Sequence, residues 1–153
     1  MSTTQQQPAD FIDGYFTRNY PNVAKNTINS GDLLYVDQST FDVKPLDTDA
    51  HAAYFCGISR DTYPILPELN TIVPFHGNGV RRVGVVPLVL KNSDTANPGT
   101  SVYIGSTAQI VTSATAGNSH AVATLYNNPD GTYASGVTGD GVTKYLFVLN
   151  VQL

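Results

Sequence analysis

The chain holds a single cysteine (Cys56), a single glutamate (Glu68), one methionine, no tryptophan and only four lysines. One thiol excludes an intrachain disulfide and a cysteine-based zinc site, and predicts synthesis in a reducing compartment. Cys56 stands in the apolar run 53–58, where it reads as a small buried hydrophobe and not as a nucleophile. With Glu, Lys and Met so scarce, the residues that normally clothe exposed helices are missing. Charged residues make up 13% of the chain and the formal net charge is −4; that charged share is about half the usual one. Arginine and lysine are dispersed apart from Arg81-Arg82, so no basic stripe exists to displace phosphate counterions and no nucleic-acid partner is expected. No apolar run approaches the roughly 18 residues of a membrane-spanning helix. Residues 1–10 lack the basic start and apolar centre of a signal peptide, so no membrane partner is expected either.

What is plentiful is Thr, Ser and Asn (17, 10 and 12 residues) together with Val, Ile, Tyr and Phe. These suit pleated surfaces and turns. With 153 residues, there is enough chain for one domain with a real core. The expected fold is all-β: a small barrel or sandwich of two similar β-units, with an extended N-terminal arm and at most one short helix. The boundaries are an arm over 1–28 and a β-domain over 29–153, with units 29–90 and 97–153.

The two units show in the residues themselves. Gly31, Leu34, Tyr35, Val36 and Val43 return 68 positions later as Gly99, Val102, Tyr103, Ile104 and Val111, and after one inserted residue His51-Ala52 meets His120-Ala121. Residues 80–90 and 143–153 align as unit-closing strands, with Val83 matched to Leu146, Val85 to Val148 and Leu88 to Val151. Both are apolar on both faces, as strands buried on two sides would be. Residues 47–53 form the best helical fragment, capped by Thr48 or Asp49. Asn78-Gly79, between residues 71–75 and 80–86, is a strong hairpin signal. Residues 127–141 read as a flexible glycine-rich surface loop.

Phe11, Ile12, Tyr15, Phe16 and Tyr20 crowd the arm around Gly14. Burying five such side chains contributes roughly 7–15 kcal/mol, while fixing about twenty residues costs on the order of 20–40 kcal/mol. The arm therefore needs backbone hydrogen bonds and a surface to lie on, its own barrel or a neighbouring subunit. Tyr63, Ile65 and Leu66 sit in a proline-locked loop (63–67) that presents apolar side chains. These eight residues are the expected interface.

No catalytic pattern accompanies them. His51, His76 and His120 lie far apart, with no metal-ligand spacing, and their shared role is expected to be packing or turn formation. The chain has no Gly-x-Ser-x-Gly elbow, dinucleotide fingerprint or phosphate loop. Asp130-Gly131 and Asp140-Gly141 lack the ligand spacing of a calcium loop. The expectation is a protein that is not an enzyme and carries no cofactor or metal. Tyr63, Tyr126, Tyr133 and Tyr145, with Tyr15 and Tyr20, suit either a sugar-binding face or a protein interface.

Residues 31–37, the segment 47–59, the hairpin that follows and the second glycine-led strand 99–105 together resemble the small β-barrel decoration (cement) proteins of tailed-bacteriophage capsids, over roughly residues 29–153. The aromatic arm and the 63–67 insertion depart from that pattern. The resemblance implies a virion structural protein on the outer capsid surface, made in the host cytoplasm. Its partners would be the major capsid protein and further copies of itself, most often as a homotrimer. On that reading Phe11, Tyr15, Phe16 and Tyr20 form a clamp. The competing reading is a carbohydrate- or receptor-binding adhesion module, a head fibre or spike base, working through loop 127–141.

Overall fold

The computed structural model describes residues 20–22, 27–60, 62, 71–73 and 80–152. Among them the elements in chain order are β1 (Tyr20–Asn22), β2 (Leu33–Val36), β3 (Val43–Pro45), α1 (Asp49–Ala52), β4 (Phe55–Ser59), β5 (Thr71–Val73), β6 (Val80–Arg81), β7 (Val85–Leu90), β8 (Thr95–Ala96), β9 (Ser101–Ile104), β10 (Ile110–Thr112), β11 (Ala123–Asn127), β12 (Val137–Thr138) and β13 (Lys144–Leu149). The fold is mostly β, built round a closed barrel of strand order β10-β7-β13-β11-β9 and a four-stranded sheet of order β3-β2-β4-β6. Two short ladders, β1-β5 and β8-β12, complete it.

The repeat is carried into the hydrogen bonding. The pair Val36↔Val43 recurs as Ile104↔Val111, and Tyr35↔Lys44 recurs as Tyr103↔Thr112. The turns that launch β2 and β9 match as well. Asp32 N donates to Asn29 O at 3.0 Å as Thr100 N donates to Asn97 O at 2.8 Å. The Asn29 amide is capped by the Asp32 carboxylate as the Asn97 amide is by the Thr100 hydroxyl. Gly31 and Gly99 both have φ +91°, which glycine adopts without a Cβ penalty.

Further along, the registers correct two alignments read from sequence. Ser59 N bonds Asp32 O as Leu125 N bonds Thr100 O, so β4 and β11 correspond at a displacement of 66, and His120 is not the counterpart of His51. The pairs Ile58↔Arg81 and Thr124↔Val148 make β6 the counterpart of β13. The units are thus β3-β2-β4-β6 and β10-β9-β11-β13. β7 is an added strand, leaving the end of the first unit to close the second between β13 and β10. In the first unit β1 lies against β3, on the side where β7 flanks β10.

Alternation sets the cores. Leu33 and Tyr35 of β2, with Phe55 and Ile58 of β4, join one large core with Val86, Leu88, Leu90, Val102, Val111, Leu125 and Phe147 of the barrel. The opposite face of the four-stranded sheet buries Leu34, Val36, Val43, Cys56 and Val80 with Ile28 in a second cluster. Ile28, placed in the arm by the sequence reading, is fully buried. A bulge between β2 and β4 shifts the phase of β4, so that Phe55 and Ile58 reach the same core. Cys56 is the extra residue of that bulge, and Gly57 next to it has φ +142°. A Cβ there would stand 2.3 Å from Arg81 O.

Three other expectations change. β5 pairs with β1 and β6 with β4, so the strands flanking Asn78-Gly79 do not pair with each other; residues 74–79 lie outside the described set. β13 is buried on one face only: Phe147 and Leu149 are buried, whereas Val148 is 41% exposed. In β7, Pro87 also faces outward. Loop 127–141 is tied down by β12 on β8, by Gly139 N to Asp94 O at 2.7 Å and by the fully buried Ala134. The helix stands where expected, with the Thr48 hydroxyl accepting from His51 N at 3.3 Å.

Candidate functional site

Of the expected interface residues, Phe11, Ile12, Tyr15, Phe16, Tyr63, Ile65 and Leu66 lie outside the described residues. Tyr20 is placed by its backbone alone, opposite Val73. The described residues offer a different surface, at the seam between the two units.

Its first part is a row of outward side chains. On β13, Tyr145, Phe147 and Leu149 turn toward the core while Lys144, Leu146 and Val148 turn away. Cross-strand pairing puts Leu146 opposite Pro87 and Val148 opposite Val85 on one side, and Val148 opposite Thr124 on the other. At the β11 bulge Tyr126 is 45% exposed, and Tyr133, bridged to Asn127, is 74% exposed. Three barrel strands thus display Val85, Pro87, Leu146, Val148 and Tyr126 on one outer face. Of the tyrosines weighed in the sequence, Tyr126 and Tyr133 are exposed, whereas Tyr145 packs on the core.

The row runs into a cleft of about 230 Å³ between the units, whose walls include Arg60, Arg81 and Lys144 above Ile58, Val86 and Pro87. None of these three cations makes an ion pair among the described residues. Arg81 is held by its Nε donating to Val83 O at 3.2 Å. It lies across Gly84, where a Cβ would come 2.8 Å from Nη2. On the floor, Gln109 Nε2 donates to Asp32 Oδ1 at 2.9 Å and to Ser30 O at 3.3 Å, joining the units.

A clasp joins the units on another side. The Asp49 carboxylate accepts from Ser119 N and His120 N, each at 3.0 Å, and from Ser119 Oγ at 3.1 Å. Burial opposes ionisation of Asp49, but these hydrogen bonds outweigh it and hold its pKa below the ordinary carboxylate value. His51 stacks on Tyr35 at 4.3 Å and meets Asp47 at 2.6 Å. The two histidines are therefore neighbours of one helix with separate partners, not equivalents in a repeat. Burial raises the Tyr35 phenol pKa. Beside it, the Lys44 ammonium at 2.7 Å holds the Asp37 carboxyl well below its usual range. Each of these polar groups is engaged by a local partner. No three His, Cys, Asp or Glu side chains converge as metal ligands among the described residues. Cys56 is buried, with its Sγ 3.5 Å from Leu34 O, as expected. No helix among the described residues is long and apolar enough to cross a membrane.

The sequence reading missed Arg60, Arg81 and Lys144 because their convergence is tertiary. The outward row was legible in the alternation Lys144-Leu146-Val148 against Tyr145-Phe147-Leu149, had β13 been read as half-buried. The chain matches no protein-family model, and no curated protein matches it. What the fold and surface define is a class, a β-barrel protein with an apolar and cationic seam face.

Proposed function

We propose that the protein is a virion structural protein, not an enzyme, that binds the outside of an assembled tailed-phage capsid and stabilises it by clamping neighbouring subunits. The observation that carries this reading is the row Val85, Pro87, Leu146, Val148 and Tyr126, an apolar strip on a closed barrel that the core does not use. Such strips on otherwise polar surfaces mark protein interfaces. The likeness of residues 29–153 to capsid decoration proteins supports the choice of partner, the major capsid protein, and of a homo-oligomer, with three copies favoured. The arm residues Phe11, Tyr15, Phe16 and Tyr20 are assigned as a second grip on a neighbour, with Tyr63, Ile65 and Leu66 beside it. A ligand that binds only the assembled shell stabilises it by about 2.7 kcal/mol per site at a hundredfold excess over Kd.

The test is co-sedimentation of the full-length protein with purified expanded shells of the virus that carries its gene. Saturable binding is expected for the parent chain. Val148→Asp should weaken it at least tenfold, as should joint replacement of Phe11, Tyr15 and Phe16 by serine. Absence of binding by the parent chain refutes the reading. The exposed Tyr126 and Tyr133 beside the tethered loop 127–141 favour the adhesion alternative. Saturable sugar binding that Tyr133→Ala abolishes would establish it instead.

A further inference from the structure

We propose that the seam cleft is a carboxylate-binding pocket that receives an acidic, apolar-flanked segment of a protein partner; this deepens the reading of the face as protein-binding. Three of the eight cationic side chains in a chain of net charge −4 line this one cleft. They arrive from three different strand ends. Arg60 follows β4, Arg81 closes β6 and Lys144 opens β13. Nothing described neutralises them. Asp32, which meets Gln109 on the floor, is 4% exposed, and both its oxygens are engaged, Oδ2 by Asn29 N at 2.8 Å and Oδ1 by Gln109 Nε2 at 2.9 Å.

Arg81 is also held in place before any ligand arrives, by Val83 O and the bare backbone of Gly84. Its guanidinium keeps its terminal nitrogens for an oxyanion, and a fixed fork loses little entropy on binding one. Size and lining select among anions. About 230 Å³ lies below the roughly 300–1,000 Å³ of small-molecule sites and suits one or two side chains. The floor of Ile58, Val86 and Pro87 continues into the outward row, so the ligand carries apolar groups beside its charge. A protein segment mixing Asp or Glu with Leu-like residues meets both conditions. A phosphate ion meets only the first.

The probe is an acetylated, amidated peptide of alternating glutamate and leucine, titrated into isotope-labelled full-length protein and followed by amide chemical shifts. Its glutamine counterpart and inorganic phosphate serve as the other arms. Saturable shifts at Gly31, Ser59 and Gln109 are expected with the glutamate peptide alone. Arg60→Gln and Lys144→Gln, both on exposed side chains, should each raise Kd about tenfold without disturbing distant resonances. Equal binding of the glutamine peptide, tighter binding of inorganic phosphate, or no saturable shift overturns the proposal. Peptide binding seen only after Asp10→Asn and Asp13→Asn would show that the chain's own arm is the occupant, which also overturns it. Lost peptide binding with intact shell co-sedimentation removes the cleft alone. Peptide binding without shell binding removes the capsid reading and keeps the cleft.

Discussion

Asp49→Asn isolates the clasp between the two units. The substitution keeps the shape of the side chain and its place in α1, but replaces one acceptor oxygen with an amide. In the parent protein Oδ1 takes the amides of Ser119 and His120, and Oδ2 takes Ser119 Oγ. A hydrogen bond to a charged group is worth about 1.5–3 kcal/mol net, with more lost where a donor is left facing a donor. The Ser119 donors are exposed, so water recovers part of the loss. The expected destabilisation is therefore about 2 kcal/mol, or about 4–8 °C in Tm for a chain of this length. Urea titration reads it as a lower midpoint at unchanged slope, since the surface exposed on unfolding is the same.

The pH dependence gives the sharper test. The folded pKa of Asp49 is depressed, so the folded state holds the proton less readily than the unfolded chain. The stabilisation is fully present above the unfolded carboxylate pKa of roughly 3.9, and is lost as pH falls through the lower folded value. The difference between parent and Asp49→Asn should be constant near neutrality and shrink toward zero in acid. Asp47→Asn, at the exposed i,i+4 contact with His51, serves as the control and should cost under about 0.5 kcal/mol. A gap between parent and Asp49→Asn that is as small as the control, or that persists unchanged into strong acid, refutes the clasp.

Two further outcomes follow from the backbone and the core. Gly57→Ala should cost about 2–5 kcal/mol, from a strained φ and a Cβ driven against Arg81 O. Gly99→Ala, with the same kind of φ but nothing within 4 Å, should cost about 1 kcal/mol; equal losses in denaturation would refute the bulge argument. Phe147→Ala should cost about 3–5 kcal/mol, whereas Val148→Ala, one residue on but facing outward, should stay within about 0.5 kcal/mol. Comparable losses at the two positions would mean β13 is buried on both faces.

The sequence carried local information well. Thr48 as a helix cap, Gly31 and Gly99 as turn residues, and Cys56 as a buried apolar group all follow from short-range chemistry, and all are observed. It carried registers poorly. His51 and His120 matched by letter, but β4 and β11 correspond at another displacement because the connections from β3 to β4 and from β10 to β11 differ in length. The closing strand was mistaken for a similar reason. Residues 80–90 look like one apolar strand, yet Gly84 at φ +110° separates β6 from β7, and the two pieces join different units. The candidate site was least legible of all, since Arg60, Arg81 and Lys144 lie in three separate strand regions and meet only when β7 crosses between the units.

Equivalent positions differ in burial between the two units. Leu33, Tyr35, Phe55 and Ile58 of the first unit are buried in the main core. By register the counterparts of Leu33, Tyr35 and Ile58 in the second unit are Ser101, Tyr103 and Thr124, none of them buried. Leu33 and Ile58 stand where one unit packs on the other, and the smaller, polar Ser101 and Thr124 stand at the matching positions of the second unit. Val148 breaks that rule. It is the counterpart of Arg81, and it is apolar where exposure would favour a polar residue. Val148 is exposed, as are Pro87 and Tyr126 diagonally across from it, while Val85 and Thr124 directly opposite are half-buried. Pro87 belongs both to the apolar row and to the cleft that Arg81 lines, so β7 connects the row with the cations. The contact with another protein proposed above would account for an apolar residue at that position.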